Sequence, residues 1–135
     1  MHRISVSTRR REELVDVTSS IEDAVGKAGI PFGLCVLYCP HTTAAITVNE
    51  GADPSVAEDM VMGLQRLIPG DWNFSHMEGN SDAHIKASLI GPSETVIIDG
   101  GKLVLGTWQR IFFCEFDGPR KRVFFVKLQG REETR

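Results

Sequence analysis

ETVIIDGGKLVLGTWQRIFFCEFDGPRKRVFFVKLQ, running from Glu94 to Gln129, decides the fold class. Its apolar residues come in short β-branched and aromatic runs, cut by Gly100-Gly101 and by Asp117-Gly118-Pro119. That is the punctuation of strands joined by turns. ETVIID, KLVLGTW, QRIFFCEFD and KRVFFVKLQ therefore predict an antiparallel meander in which the last two are partners. Trp108, the last residue of KLVLGTW, is assigned to the core.

Upstream, alternation in RISVST (Arg3 to Thr8) and a short LVDV segment predict two more strands. GLCVLYC, from Gly33 to Cys39, is the continuous apolar run expected of a strand buried on both faces, whereas TAAITVNE alternates weakly and ends polar. Between strands lie three helical patterns. Ser19 and Glu22 have capping-box spacing, with Thr18 a competing cap, and Ile21, Ala24, Val25 and Ala28 form an apolar stripe that closes at Gly29 and Pro31. Asp53 as cap and Pro54 at the first helical position open a second helix, striped by Val56, Ala57, Met60, Val61, Leu64 and Leu67 as far as Pro69. Asp82 is placed to cap a third, with His84 in its first turn and Gly91-Pro92 at its end. Strands and helices in runs rather than strict alternation predict an α+β fold with mostly antiparallel strands.

The length of 135 residues and an apolar share of 41% suit one domain, residues 1–135, with a core that needs no staples. A net charge of −3 and a pI near 5.8 argue against a general nucleic-acid binder. No run of ~18 apolar residues is present, and MHRISVSTRRREEL lacks the apolar centre of a signal peptide. A soluble, cytoplasmic protein with no nucleic-acid or membrane partner is expected. Cys35, Cys39 and Cys114 sit in apolar runs and are read as small hydrophobes. The tail from Arg131 to Arg135 reads as disordered.

Three polar clusters carry the chemistry. HMEGNSDAH brackets Glu78, Asn80 and Asp82 between His76 and His84 in a segment with little to bury. The spacing of eight fits neither a zinc finger nor a metalloprotease helix, yet a loop could bring both imidazoles to one ion, with Glu78 or Asp82 as ligand or hydrogen-bond acceptor. The plain alternative is two ordinary surface histidines. His41, Thr42 and Thr43 put an imidazole and two hydroxyls where a strand ends, although threonines are also good strand formers. Asn49-Glu50 suits a substrate amide or amine, or simply ends its strand. Arg120 and Arg122, two apart, would share a strand face suited to phosphate or carboxylate, or form a charged hairpin tip. Gln109 and Glu115 would share a face of the partner strand. Walker A, dinucleotide, nucleophile-elbow and Cys-x-x-Cys motifs are absent.

HTTAAITVNE, HMEGNSDAHIKASLIG and GGKLVLGTWQRIFFCEFDGPRKR, in this order and spacing, closely resemble the YjbQ family, often labelled secondary thiamine-phosphate synthase. The resemblance spans nearly the whole chain. It implies a sandwich-like or barrel-like core of mostly antiparallel sheets with two or three helices packed outside, a homotrimer, and a site near a subunit boundary. It makes His41, His76 and His84 candidate ligands of a divalent ion, zinc-like, with magnesium possible for a pyrophosphate substrate. His41, Asn80, Asp82 and Glu115 become candidates for catalysis, and Thr42, Thr43, Asn49, Gln109, Arg120 and Arg122 for binding a small anionic or phosphorylated metabolite. The labelled activity joins a hydroxymethylpyrimidine diphosphate to a thiazole phosphate with loss of pyrophosphate. Histidine clusters suit zinc, nickel or cobalt better than magnesium, so metal-dependent hydrolysis is one rival and a non-enzymatic metal- or metabolite-binding module another.

Overall fold

A computed structural model describes residues 1–130; the reading of Arg131 to Arg135 lies outside them. The strands are β1 (His2–Ser7), β2 (Glu13–Asp16), β3 (Phe32–Tyr38), β4 (Ala44–Glu50), β5 (Ser93–Asp99), β6 (Lys102–Leu103), β7 (Gln109–Glu115) and β8 (Lys121–Gly130). The helices are α1 (Thr18–Ala28), α2 (Pro54–Leu67) and α3 (Ser81–Ile90). The strands make two antiparallel sheets, β1-β8-β3-β5-β6 and β2-β7-β4, curled into a half-barrel. The α+β class and antiparallel sheets stand as expected.

The meander does not. Gly100 and Gly101, at φ 59° and 76°, make the tight β5–β6 turn as read. β6, however, ends at Leu103, and the chain then crosses to the other sheet, where β7 pairs with β2 and β4. The Asp117–Pro119 turn carries it back, so β7 and β8 face each other across the core instead of sharing hydrogen bonds. Turn residues mark where a strand stops but not which neighbour the next one takes. Trp108 falls in the turn before β7 and is 62% exposed, which corrects its assignment to the core.

The doubly buried strands are β4 and β7, not β3. Ile46, Ile111 and Phe113 face the main core with Leu37, Phe124 and Val126, while Ala45 and Cys114 on the other face pack beneath Ala83 and Ala87 of α3. β3 alternates: Cys35 and Leu37 are buried, Leu34 and Tyr38 are exposed. All three cysteines are buried free thiols, and burial pushes that of Cys35 up to about 11.

α1 ends at Gly29 in the left-handed region, as predicted. Its start differs: Val17 holds the cap position, and Asp16 accepts the Thr18 N–H at 3.0 Å. Thr18 turns its hydroxyl inward to accept the Ile111 N–H at 2.7 Å. α2 starts as read, Asp53 accepting the Ser55 N–H at 3.0 Å with Pro54 next. None of its residues is fully buried. No helix among the described residues is long and apolar enough to cross a membrane.

Candidate functional site

β3 stops pairing with β8 at Tyr38↔Phe125, and the chain turns away at Pro40. That leaves the β8 edge beside Val123 open, and His41 fills it. Its Nε2 lies 3.0 Å from both the carbonyl oxygen and the amide nitrogen of Val123. Nε2 either donates to the one or accepts from the other, and Nδ1 is the nitrogen left over. Burial, then the nearby Arg122 guanidinium, holds the His41 pKa below its ordinary value, so the ring is neutral at pH 7.

Behind His41 the core ends in a charged pair. Glu115 continues the inward face of Ile111 and Phe113, and Arg122 that of Phe124 and Val126. Both are buried. Arg122 Nε donates to Glu115 Oε1 at 2.9 Å, and its Nη2 donates to Glu115 Oε2 and, at 2.8 Å, to Thr43 Oγ1. Thr8 Oγ1 donates to Glu115 Oε1 at 2.7 Å and accepts the Arg120 N–H at 2.9 Å. Burial pushes the Glu115 carboxyl up, but hydrogen bonds from Arg122, Thr8 and the Asp117 N–H together leave it below the usual carboxylate range.

In front lies an open cleft of about 370 Å³. Pro40, His41, Thr42 and Thr43 line one side, Glu78, Asn80 and His84 another, and Asp117, Arg120 and Arg122 a third. Asn80 Nδ2 donates to Asp117 Oδ2 at 2.8 Å. Arg120 reaches the same oxygen at 3.0 Å, yet its side chain stays half exposed. The three polar clusters of the sequence thus meet at one cleft.

The model of the family described as UPF0047 protein YjbQ-like matches residues 2–131. The chain belongs to the YjbQ family. A UPF0047 protein of Methanocaldococcus jannaschii is 56% identical over 96% of this chain and 94% of its own. YugU of Bacillus subtilis is 46% identical over 94% and 97%. A crystal structure of an uncharacterised YjbQ/UPF0047-family protein from Clostridium acetobutylicum superposes with a TM-score of 0.94, at 48% identity, over 96% of this chain and 100% of that one. A YbjQ-like protein of unknown function from Sulfolobus solfataricus gives 0.93 at 38% identity, over 96% of each chain.

Within this YjbQ-family chain not every candidate reaches the cleft. Asn49 and Gln109 lie at the far end of the β4–β7 pair, near Glu50↔Gln109, while Thr43 and Glu115 flank the other end at Ala44↔Glu115; six residues of strand separate the ends by roughly 20 Å. Arg120 and Arg122 do not share a strand face, because Arg120 precedes β8 and only Arg122 lies in it. Asp82 caps nothing: Asn80 holds the cap position, and Asp82 is buried in the first turn of α3. There it accepts two bonds from Arg11, at 3.0 and 3.1 Å, and one from Lys86 at 2.9 Å. Burial raises its carboxyl pKa, but these bonds outweigh that and leave it lowered. Its role in this chain is to anchor α3.

His76 and His84 do come together, with ring centroids 5.6 Å apart and edge-on, and Glu78 lies 3.7 Å from His76 Nε2. Even so, among the described residues no three His, Cys, Asp or Glu side chains are grouped to hold a metal ion. His41 already commits one nitrogen to β8, and the donor set in one chain falls short of the three protein ligands of a zinc enzyme. Thr8 and Asp117 join the site without being among its sequence candidates. Thr8 carries a signal, a polar residue continuing the inward positions of Ile4 and Val6, whereas Asp117 carries only that of a turn.

Proposed function

We propose that the cleft is the site of a small-molecule enzyme acting on a phosphorylated or carboxylated metabolite, with Arg120 as anion contact and His41 and His84 as proton-transfer groups. The observation that carries this reading is the division of labour between the two arginines. Arg122 is buried and gives its Nε and Nη2 to Glu115 and Thr43, whereas Arg120, half exposed and held from one side by Asp117, can turn to an incoming anion. Neutral His41 beside Thr42 and Thr43 suits a base or hydrogen-bond donor at pH 7.

Thiamine-phosphate synthase-like transfer is the specific reaction proposed. The thiazole nitrogen would attack the pyrimidine methylene as the carbon–oxygen bond to pyrophosphate breaks. Such a step needs charge stabilisation at the leaving oxygen more than a protein nucleophile, and Arg120 with His84 would supply it. No step is routed through a metal, because the residues of one chain do not form a complete ligand set.

Pyrophosphate release from hydroxymethylpyrimidine diphosphate and thiazole phosphate tests both levels. Turnover by the wild type should fall about a hundredfold in Arg120→Ala and His84→Ala. Release at background by the wild type would sink the transfer reaction. Turnover unchanged in both variants would sink the cleft as its site.

A further inference from the structure

The structure carries a second concavity, at the other end of the small sheet. It is a groove of about 500 Å³ between α2 and strands β2 and β7, within the volume range of small-ligand pockets. Its floor is apolar, made by Leu14, Phe112, Ala57, Val61 and Met62. The reason lies in α2. Its stripe has the spacing of a core-facing helix, yet none of its residues is fully buried, and Met62 is 42% exposed. The helix stands off the sheet and leaves apolar surface in an open trough.

The rim is mostly acidic. Six carboxylates line the groove, those of Glu12, Glu13, Asp16, Glu50, Asp53 and Glu58, against Arg10 as the cation among the lining residues. Four are already employed. Glu12 takes Lys86 and Gln65, Glu13 takes the Arg9 and Arg10 N–H groups, Asp16 takes Arg110, and Asp53 caps α2. Glu50 and Glu58 have no side-chain partner among the described residues. An apolar floor with two uncommitted carboxylates above it complements a molecule with an apolar body and a single cationic head.

We propose that this groove binds an organic cation, an amine or amidine on an aromatic or branched hydrocarbon body, with the body on Phe112 and Met62 and the head between Glu50 and Glu58. This site is separate from the His41 cleft, and nothing in the reading of that cleft depends on it.

Phenethylamine is the probe and phenethyl alcohol its neutral counterpart, each titrated into isotope-labelled full-length protein at neutral pH and followed by amide shifts. The amine should saturate with shifts at Leu14, Val61, Met62 and Phe112, and bind about tenfold more tightly than the alcohol. Glu50→Gln with Glu58→Gln should erase that preference and leave the weak binding of the alcohol as it was. Glu58 is exposed and Glu50 partly so, and their near-isosteric glutamine forms should fold. Equal binding of amine and alcohol, an amine preference that survives the double substitution, or no shifts in the groove because a second copy of the chain covers it, would each overturn the proposal.

Discussion

Glu115 and Arg122 occupy positions that continue two apolar strand faces, and their pairing decides what each residue near the cleft is free to do. Taking two charges out of water is costly, and the pair is supported by further bonds from Thr8 and the Asp117 N–H to Glu115 and from Arg122 to Thr43. Removing one partner leaves the other charged and buried. Arg122→Ala and Glu115→Ala should therefore each lower stability by about 3–5 kcal/mol, read from urea midpoints. The double replacement Glu115→Leu with Arg122→Met should cost well under the sum, because no lone charge remains. Arg120→Ala, at an exposed position, should stay within about 0.5 kcal/mol of wild type. Equal small losses in all three single variants would mean that the buried pair is not the support of this end of the core. Sequence alone could not separate the two arginines, since neither composition nor spacing says which of two neighbours turns inward.

Helix α3 joins the cleft to the rest of the molecule. One face packs Ala83 and Ala87 on Ala45 and Cys114, and its first turns carry Asp82 and Lys86 into a buried cluster with Arg11 and Glu12 from the β1–β2 connection. His84 sits between those anchors. Lys86→Met should remove the buried cation between Asp82 and Glu12 and leave only the half-exposed Arg11 beside them, costing about 3 kcal/mol. It should also raise hydrogen exchange in α3 ahead of β7, because the lesion is local to the helix. Exchange rising evenly over all elements, or no change in stability, would show that the cluster does not hold α3. Much of this element was legible: Gly91 as its end and His84 in its first turn followed from local signals. The role of Asp82 was not, because a carboxylate at a helix start reads as a cap unless its long-range partner is known, and Arg11 lies 71 residues away. Strand identities were legible for the same local reason. The pairing of β7 with β2 and β4 was not, since the core contacts that choose it are distant in sequence.

At the scale of the whole molecule these groups set a pH dependence with a definite sign. The carboxyls of Asp82 and Glu115 have folded pKa values below their ordinary 3.8 and 4.5. The unfolded chain thus binds more protons at low pH, and their stabilisation is complete above those values and lost as pH falls through the folded ones. His41 is also lowered, from 6.5, mainly by burial. Its contribution is full above 6.5 and begins to fade below it, as the unfolded chain takes up a proton that the folded ring resists. Glu94, raised by burial, works the other way, gaining stability as it protonates, but it stands alone against Asp82, Glu115 and His41, with Asp16 and Asp53 lowered as well. Stability should be flat near neutrality, decline gently below about pH 6.5, and fall more steeply below about pH 4.5. Urea midpoints taken at half-unit steps of pH would trace both stages. His41→Asn should remove the upper stage and leave the lower, and Glu115→Gln should reduce the lower and leave the upper. A curve of the same shape in all three proteins would mean that neither the ring on the edge of β8 nor the pair at the end of the core couples folding to protons.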